Sequence, residues 1–459
     1  FAGGWTLEAA EVVSCGRDRL AVLTGLEALI AASLVQVSEH PDGARRFRML
    51  ETVRELGMEQ LAHHGELDAV SRRHAEYFLA LAQAGRAAIA AGQPSQWLTR
   101  LEAERANLRA VLSWLRDREE YGLGLRLATA LGPFWHVRSA NAEGRMWLES
   151  FLALSSAVDA PRTDQIAALR WAGELAGLEG DLPAAQTHLQ KSLALARRAG
   201  DTYGVAAALR AIGSALFQKG QVAACIAPLS EAIELTRQLG DQRQTAFLLA
   251  YVAIAVAHQG DFGRAETLIA ESRELFCALG DTGSFEACIG LLGEGLLALM
   301  EGDLDRADDR LNAALDLGQM LDSKGMVSAT LGALGQIALE RRQDTVAAGY
   351  FVEGLIQGRD GDYPLGIVWN LLGLMRLASR HGWLAAAARL AGGVDAFAVL
   401  IQALPPAAVS AYEADVTRVQ TSLGHPAFTA TRQGGRELPV EEMVDEAVAL
   451  AADLMHGAK

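Results

Sequence analysis

Apolar positions recur with helical spacing through most of the 459 residues, and the runs are punctuated at regular intervals. Gly180-Asp181, Gly200-Asp201, Gly220-Gln221, Gly240-Asp241, Gly260-Asp261 and Gly280-Asp281 stand every 20 residues, and Gly302-Asp303 continues the series after a slip of two. Glycine suits a helix C-terminus because the left-handed conformation costs it little. The aspartate that follows suits the N-cap of the next helix, whose orphan N–H groups it accepts. The pattern predicts helix, turn, helix, turn, with two helices in about 40 residues.

Alignment on Gly180, Gly220, Gly260, Gly302 and Arg342 exposes a second layer of order. Seven residues before the turn stand Gly173, Gly213, Ala253, Gly295 and Gly335; eleven before it stand Leu169, Leu209, Leu249, Leu291 and Leu331. Five residues after it stand Ala185, Cys225, Ala265, Ala307 and Ala347, and twelve after it Ser192, Ala232, Ser272, Ala314 and Gly354. Small side chains on matched helix faces let neighbouring helices approach closely. These positions and the turn glycines resemble the tetratricopeptide repeat. The period departs from its standard 34 residues, so longer helices are expected. Repeats of this longer kind are typical of bacterial regulators with MalT-like repeat domains. The resemblance implies a mostly all-α chain built as an α-solenoid, a right-handed superhelix. Gly382 opens a degenerate repeat, with Leu371 and Ala387 in register, and Ser139 takes the turn position upstream, with Gly132 seven residues earlier. About seven helical pairs are expected over residues 123–400. From Pro405 the register is lost, and residues 401–459 read as a helical cap ending in a helix near Val440 to Leu454.

The front of the chain reads differently. Leu7 to Val13 and Val22 to Ala32 are short apolar-periodic helices. Leu34-Val35-Gln36-Val37-Ser38 and Arg46-Phe47-Arg48-Met49-Leu50 flank the turn chemistry of His40-Pro41-Asp42-Gly43, a strand–turn–strand pattern. Thr52 and Glu55 have the spacing of a capping box for a following helix. Residues 1–66 are therefore expected to form a small winged-helix unit, and 67–122 a helical linker. The stretches FAGGWTLEAAE, LEALIAASLV, FRMLETVRELGMEQL, RRHAEYFLALA, LEAERANLRAVLSWL and FWHVRSANAEGRMWLE resemble the corresponding region of STAND-class signal-transduction ATPases, relatives of LuxR-type and AfsR-type regulators. The resemblance covers the first third; the remainder matches only as a repeat array. It implies a parent protein with a nucleotide-binding domain and a DNA-binding module. The chain begins at Phe1 without Met and holds no G-x-x-x-x-G-K-[ST] loop. It is expected to be a fragment or an expressed part of that parent, with ATP and DNA contacts made by other domains.

Composition narrows this picture. A net charge of −15 lacks the overall electrostatic footprint of a nucleic-acid binder. Cys15, Cys225, Cys277 and Cys288 form no C-x-x-C pair, and all four are expected to be reduced core thiols of a cytoplasmic protein. The longest apolar run, Ala246 to Ala257, is too short to span a bilayer, so no membrane contact is expected.

Candidate sites weigh against blander readings. Gly293-Glu294-Gly295-Leu296-Leu297-Ala298 matches a dinucleotide pattern, but no strand precedes it, and Gly295 is a packing position. Asp303, Asp305, Asp308 and Asp309 lack the glycine and terminal glutamate of a calcium loop and read as a capped helix start. Arg45, Arg46 and Arg48 form a basic wing, read as an internal joint in preference to a phosphate contact. His63, His64 and His74 read as exposed helix-end histidines. No residue stands in a nucleophile motif, so neither catalysis nor a cofactor is expected.

The tetratricopeptide pattern places groove residues ten, six and two positions before the turn: Arg170, Glu174, Arg210, Ser214, Gln218, Ile254, His258, Met300, Gln336, Arg376 and Arg380. Arginines at both ends and an apolar centre (Ala250, Ile254, Leu292, Leu296) suit an extended peptide or helix with acidic groups, or a domain of the same polypeptide. The opposing expectation is that many of these residues face water or a neighbouring superhelical turn. The function expected is a sensor or protein-interaction region taking a peptide, protein or small effector and relaying it to an ATPase domain. The alternative is a stand-alone assembly scaffold.

Overall fold

The computed structural model describes residues 1–14, 19–39, 45–91, 94–154 and 160–456, without the side chains of 39, 94, 95, 218, 399 and 453–456. Cys15 and the hairpin turn at 40–43 lie outside the described residues. Two compact units are present, residues 1–134 with 147–164, and residues 135–146 with 165–459.

The first unit begins with helix α1 (Leu7–Val13), whose N-cap Thr6 accepts from the Ala9 N–H, and α2 (Arg19–Ala31). Strands β1 (Val35–Glu39) and β2 (Arg45–Met49) pair antiparallel with Val37 opposite Phe47. Trp5 adds a bridge to the other side of Phe47 and stacks on its ring. Trp5, Ala9, Ala10, Val22, Leu26, Val35 and Phe47 form one buried cluster, the reason these short elements hold together. Helices α3 (Glu51–His63), α4 (Leu67–Ala90), α5 (Pro94–Ala103) and α6 (Arg105–Asp117) follow. Next come α7 (Tyr121–Val137) and α8 (Asn141–Leu154), each divided between the two units.

Two expectations, those for Thr52 and His74, need correction here. Thr52 is not an N-cap: α3 starts at Glu51 after Leu50, with no side-chain cap, and Glu51 pairs with Arg54 instead. Arg46 is engaged inside the chain, in line with the internal joint expected of the wing. Its guanidinium is 11% exposed, pairs with Glu104 at 2.5 Å and donates to the carbonyls of Ala103 and Gly4. Asn107 completes that lock, donating to Glu104 and to the Gly4 carbonyl. His74 is not at a helix end: it sits within α4 against Phe1 and Phe78, and burial pushes its imidazole down to about 3.

The second unit is a stack of helix pairs: α9 (Arg162–Leu178, from residue 165) with α10 (Leu182–Ala199), α11 (Thr202–Gln218) with α12 (Val222–Leu239), and α13 (Gln242–His258) with α14 (Phe262–Leu279). Then come α15 (Phe285–Glu301) with α16 (Leu304–Met320), α17 (Lys324–Glu340) with α18 (Asp344–Asp360), and α19 (Pro364–Arg380) with α20 (Leu384–Asp395). Asp181, Asp201, Asp241, Asp261 and Asp303 each accept from the N–H three residues on, as N-caps should. The turn glycines all have positive φ, and so do Ser139 and Arg342, which occupy the same position without the glycine. Asp322 and Asp362 make two further left-handed turns that no glycine announces.

The small positions do what their spacing implies. A Cβ at Gly173, Gly213, Gly295 or Gly335 would come within 2.7, 2.4, 2.6 or 2.4 Å of Leu189, Leu229, Leu311 or Phe351, each sixteen residues later. A second regularity ties each pair together. The buried hydroxyls of Ser192, Ser272 and Ser328 donate to the carbonyls of Ile166, Ala246 and Gly354, every time across 26 residues. Cys225 and Cys288 are buried, and burial pushes both thiols up to about 12. Cys277 departs from expectation: it is exposed on α14.

Beyond α20 a 3-10 turn (Ala398–Ala403) leads to α21 (Pro406–Leu423), α22 (His425–Arg436) and α23 (Val440–His456). α22 lies along α20, and α23 lies along α18. No helix among the described residues is long and apolar enough to cross a membrane.

Candidate functional site

The first helices of successive pairs, α13 to α19, lie side by side on the inner face of the second unit, and Arg210 of α11 reaches Phe247 of α13. Residues about one superhelical turn apart meet across it. Arg138 bonds the Leu321 carbonyl and, at 2.6 Å, Asp322; Ser139 Oγ accepts from the Gly325 N–H. Gly180 faces Pro364 and Gly220 faces Gln402. These pairs are 182 to 186 residues apart, so consecutive turns touch along a seam.

Inside the seam, three groove candidates come together. Glu174 Oε1 accepts from Arg170 and from Arg210 at 2.8 Å, and Glu174 Oε2 accepts from the same Arg210 Nη2 at 2.7 Å. Arg170 and Glu174 sit at i and i+4 on α9, and Arg210 reaches them from α11 because both positions precede their turn glycines by ten or six. Aromatic rings wall the cluster. The Arg170 guanidinium lies 4.2 Å over Trp171 and that of Arg210 5.7 Å over Phe247. His136 packs edge-on to Phe285 at 4.9 Å and lies near Trp171. Arg243 pairs with Asp281, and Gln244 Nε2 donates to Glu286 at 3.1 Å. Ser214 hydrogen-bonds Tyr251. Of this shell, sequence spacing found Arg170, Glu174, Arg210 and Ser214. It missed His136, Trp171, Phe247, Arg243, Asp281, Phe285 and Glu286, which lie off the three chosen rows. A helix offers more inward positions near its N-terminal end than those rows sample.

The remaining candidates belong elsewhere. Arg376 is not an open groove end: it pairs with Asp415 of α21 and donates to Gln336. Arg380 is held by Asp344 and the Leu339 carbonyl. The expected arginine at that end is thus neutralised within the chain. Ile254 is buried in the apolar centre. His258 points Nε2 at the Leu404 carbonyl at 3.2 Å, so the segment after α20 occupies groove that the sequence reading left open. Met300 is half-buried without a polar role, and the Gln218 side chain lies outside the described residues. Asp303 caps α16 while Asp305 and Asp308 hold Arg341. No group of three or more His, Cys, Asp or Glu among the described residues is placed to hold a metal.

The cluster sets charge states. Burial above all lowers the His136 imidazole to about 4; Glu174 pulls it up, and Arg210 and Arg170 push it down. Burial would raise the Glu174 carboxyl, but Arg210 and Arg170 outweigh it and hold the group at about 2. Burial raises Glu286. A pH dependence follows with a definite sign. Unfolded His136 takes a proton near pH 6.5 and folded His136 near 4, so its contribution to stability is complete above 6.5 and is lost as pH falls toward 4. Glu174 contributes fully above 4.5, and that share is lost as pH falls toward 2. Chemical denaturation of the chain at a series of pH values should show His136 accounting for about 2 kcal/mol of the fall in stability between pH 6.5 and 4.5, beside the share of the buried His74. His136→Gln should remove that share of the fall, and a variant with a limb as steep as the wild type's would contradict the assignment.

No family model matches the chain. In sequence, 212 residues, 44% of the chain, are 35% identical to a protein of Mycobacterium tuberculosis that carries the provisional name HTH-type transcriptional regulator. A Mycobacterium bovis protein of the same description gives the same figures. The match spans 23% of those proteins' length, so the chain corresponds to about a quarter of each. Among solved structures, a Rap protein complexed with competence and sporulation factor gives a TM-score of 0.47 at 13% identity, covering 74% of this chain and 97% of that one. A STAND protein with a tetratricopeptide repeat sensor from Pyrococcus horikoshii gives 0.42 at 12%, covering 94% and 63%. At such scores the fold assignment rests on the chain's own helix geometry.

Proposed function

We propose that this chain is the non-catalytic sensor region of a bacterial transcriptional regulator of STAND type, receiving an effector on the inner face of its repeats. The observation that carries this reading is the enclosed cluster of Arg170, Glu174 and Arg210 with its aromatic walls. Buried ion groups of this kind contribute little net stability compared with apolar packing, so their placement on the inner face favours recognition. The partial match to regulator-named proteins points the same way. In this reading the hairpin of the first unit is the winged helix of the family. Its Arg46 is spent on Glu104 and two carbonyls, which suits an internal joint and not a DNA contact. Effector binding shifts a population between resting and active arrangements, read out by an ATPase domain and a DNA-binding module elsewhere in the polypeptide.

The test is a promoter-reporter assay in the full-length regulator with Arg210→Gln, a change that leaves the repeat packing positions intact. Inducible output should fall roughly tenfold or lock in one state, as expected for loss of a charged hydrogen bond of about 1.5 kcal/mol or more. Unchanged induction, with the protein present at normal levels, would favour the scaffold.

A further inference from the structure

Two features of the inner face restrict what it can hold. The first is access. Contacts between consecutive turns at Arg138 with Asp322, Ser139 with Gly325, and Gly180 with Pro364 close the wall sideways. The turn at Ala398–Ala403 and Leu404 closes it further at Gly220 and His258. His136, Arg210, Tyr251 and Glu286 are half-buried and keep some solvent-accessible surface. Half-buried groups behind these contacts line a chamber that water reaches. A folded domain or a helix about 10 Å across does not enter past such a wall, but a small molecule does.

The second feature is charge. Two guanidiniums, Arg170 and Arg210, share the single carboxylate of Glu174, and burial raises Glu286, the other carboxylate acting on Arg210, so one positive charge is in excess while Glu286 is protonated. Arg243 and Asp281 balance each other. Arg210 spends only Nη2 on Glu174, and Arg170 only Nη1, so the other edges of both forks take no part in these bonds. His136 Nδ1 is buried and makes no hydrogen bond. A single excess positive charge with unspent planar donors matches one carboxylate. A phosphate dianion would overshoot it beside Glu174 and Asp281. The rings of Trp171, Phe247 and Phe285 next to these donors match a flat apolar body.

We infer that the chamber binds a small aromatic carboxylate, with its carboxylate on the free edges of Arg170 and Arg210 and its ring against Trp171, Phe247 and Phe285. This rests on the effector-binding reading above and deepens it to a chemical class. Glu286 is the group most able to oppose an anion here; burial shifts it toward its neutral form, which lessens the conflict.

The experiment is calorimetric titration of the 459-residue chain with benzoate and 2-naphthoate, and separately with inorganic phosphate and benzylamine. The aryl carboxylates should bind saturably, 2-naphthoate more tightly, and phosphate and benzylamine should not. Arg210→Gln should weaken binding roughly tenfold or more, and Arg210→Lys, which keeps the charge but loses the fork, should weaken it also. Glu174→Gln should tighten binding, because it releases both guanidiniums. That sign is opposite to what a purely structural ion cluster gives. Should Glu174→Gln not fold, judged by its helical circular dichroism, the Arg210 pair and a Trp171→Leu variant decide. The inference is overturned if the aryl carboxylates show no heat at millimolar concentration, if benzylamine or phosphate binds in their place, or if Arg210→Gln leaves their affinity unchanged. Loss of induction by Arg210→Gln in the reporter, with no aryl carboxylate bound, would overturn this ligand class while leaving the sensor reading standing.

Discussion

Alanine at Gly392 or at Gly435 should destabilise the C-terminal end of the second unit by about 3 kcal/mol, near the upper end for overpacking. Helices α20 and α22 cross with their backbones in contact. A Cβ on Gly392 would sit 1.9 Å from the Arg432 carbonyl oxygen, and one on Gly435 would sit 1.9 Å from the Arg389 carbonyl oxygen. Both obstacles are backbone, so no side-chain rotation relieves them, and the helices must separate. Separation would strain the two-pronged Arg432–Asp395 ion pair, whose bonds are 2.6 and 2.7 Å, and pull on the neighbouring Arg389–Glu446 pair. Gly434 provides the control within the same helix. Its added Cβ would meet only the tip of Arg389, at 3.3 Å, so Gly434→Ala should be neutral or gain a little from helix propensity. Urea denaturation of the three variants, followed by circular dichroism, tests the contrast. Equal behaviour of Gly434→Ala and Gly435→Ala would refute the crossing geometry.

Phe351→Ala should cost about 3–5 kcal/mol, the usual range for a fully buried phenylalanine. The ring is 0% exposed and fills the gap that two glycines create. Gly335 of α17 and Gly373 of α19 would each place a Cβ within 2.4 Å of it. The side chain is thus the wedge between three consecutive helices, and its loss leaves a cavity that glycines cannot fill. Phe351→Leu, which keeps most of the volume, should cost clearly less. The same denaturation measurement applies. A Phe351→Ala cost near zero would mean that the repeat is not held by this wedge.

These two sites differ in how far the sequence foretold them. Phe351 stands sixteen residues after Gly335, in the place that Leu189, Leu229 and Leu311 hold after Gly173, Gly213 and Gly295. Repetition made that contact legible, since one packing solution is used again and again. Nothing comparable marks Gly392 and Gly435. Gly392 lies in the last, degenerate pair and Gly435 beyond it, so only the folded chain pairs them. The exposed Cys277 was misjudged, and the partner of Arg46 was not foreseen, for related reasons. Composition does not say which face of α14 points outward, and a basic hairpin does not announce a carboxylate 58 residues later.

What the sequence determined by itself is local and periodic. Gly-Asp corners end and start helices because αL backbone and N-cap geometry are decided within a few residues. Matched small residues then set how closely each pair nests. The turns at Asp322 and Asp362 show the limit of that reading: their positive φ comes without glycine, so the corner is imposed by the helices on either side. The tertiary structure alone decided the candidate site. Arg170, Glu174 and Arg210 were visible as inward positions, but their ion cluster became a chamber through contacts between residues about 184 apart, Arg138 with Asp322 among them. How tightly a superhelix winds is the sum of small rotations over many repeats. No single stretch of sequence encodes that sum, and it settles whether the inner face is an open groove or an enclosed space.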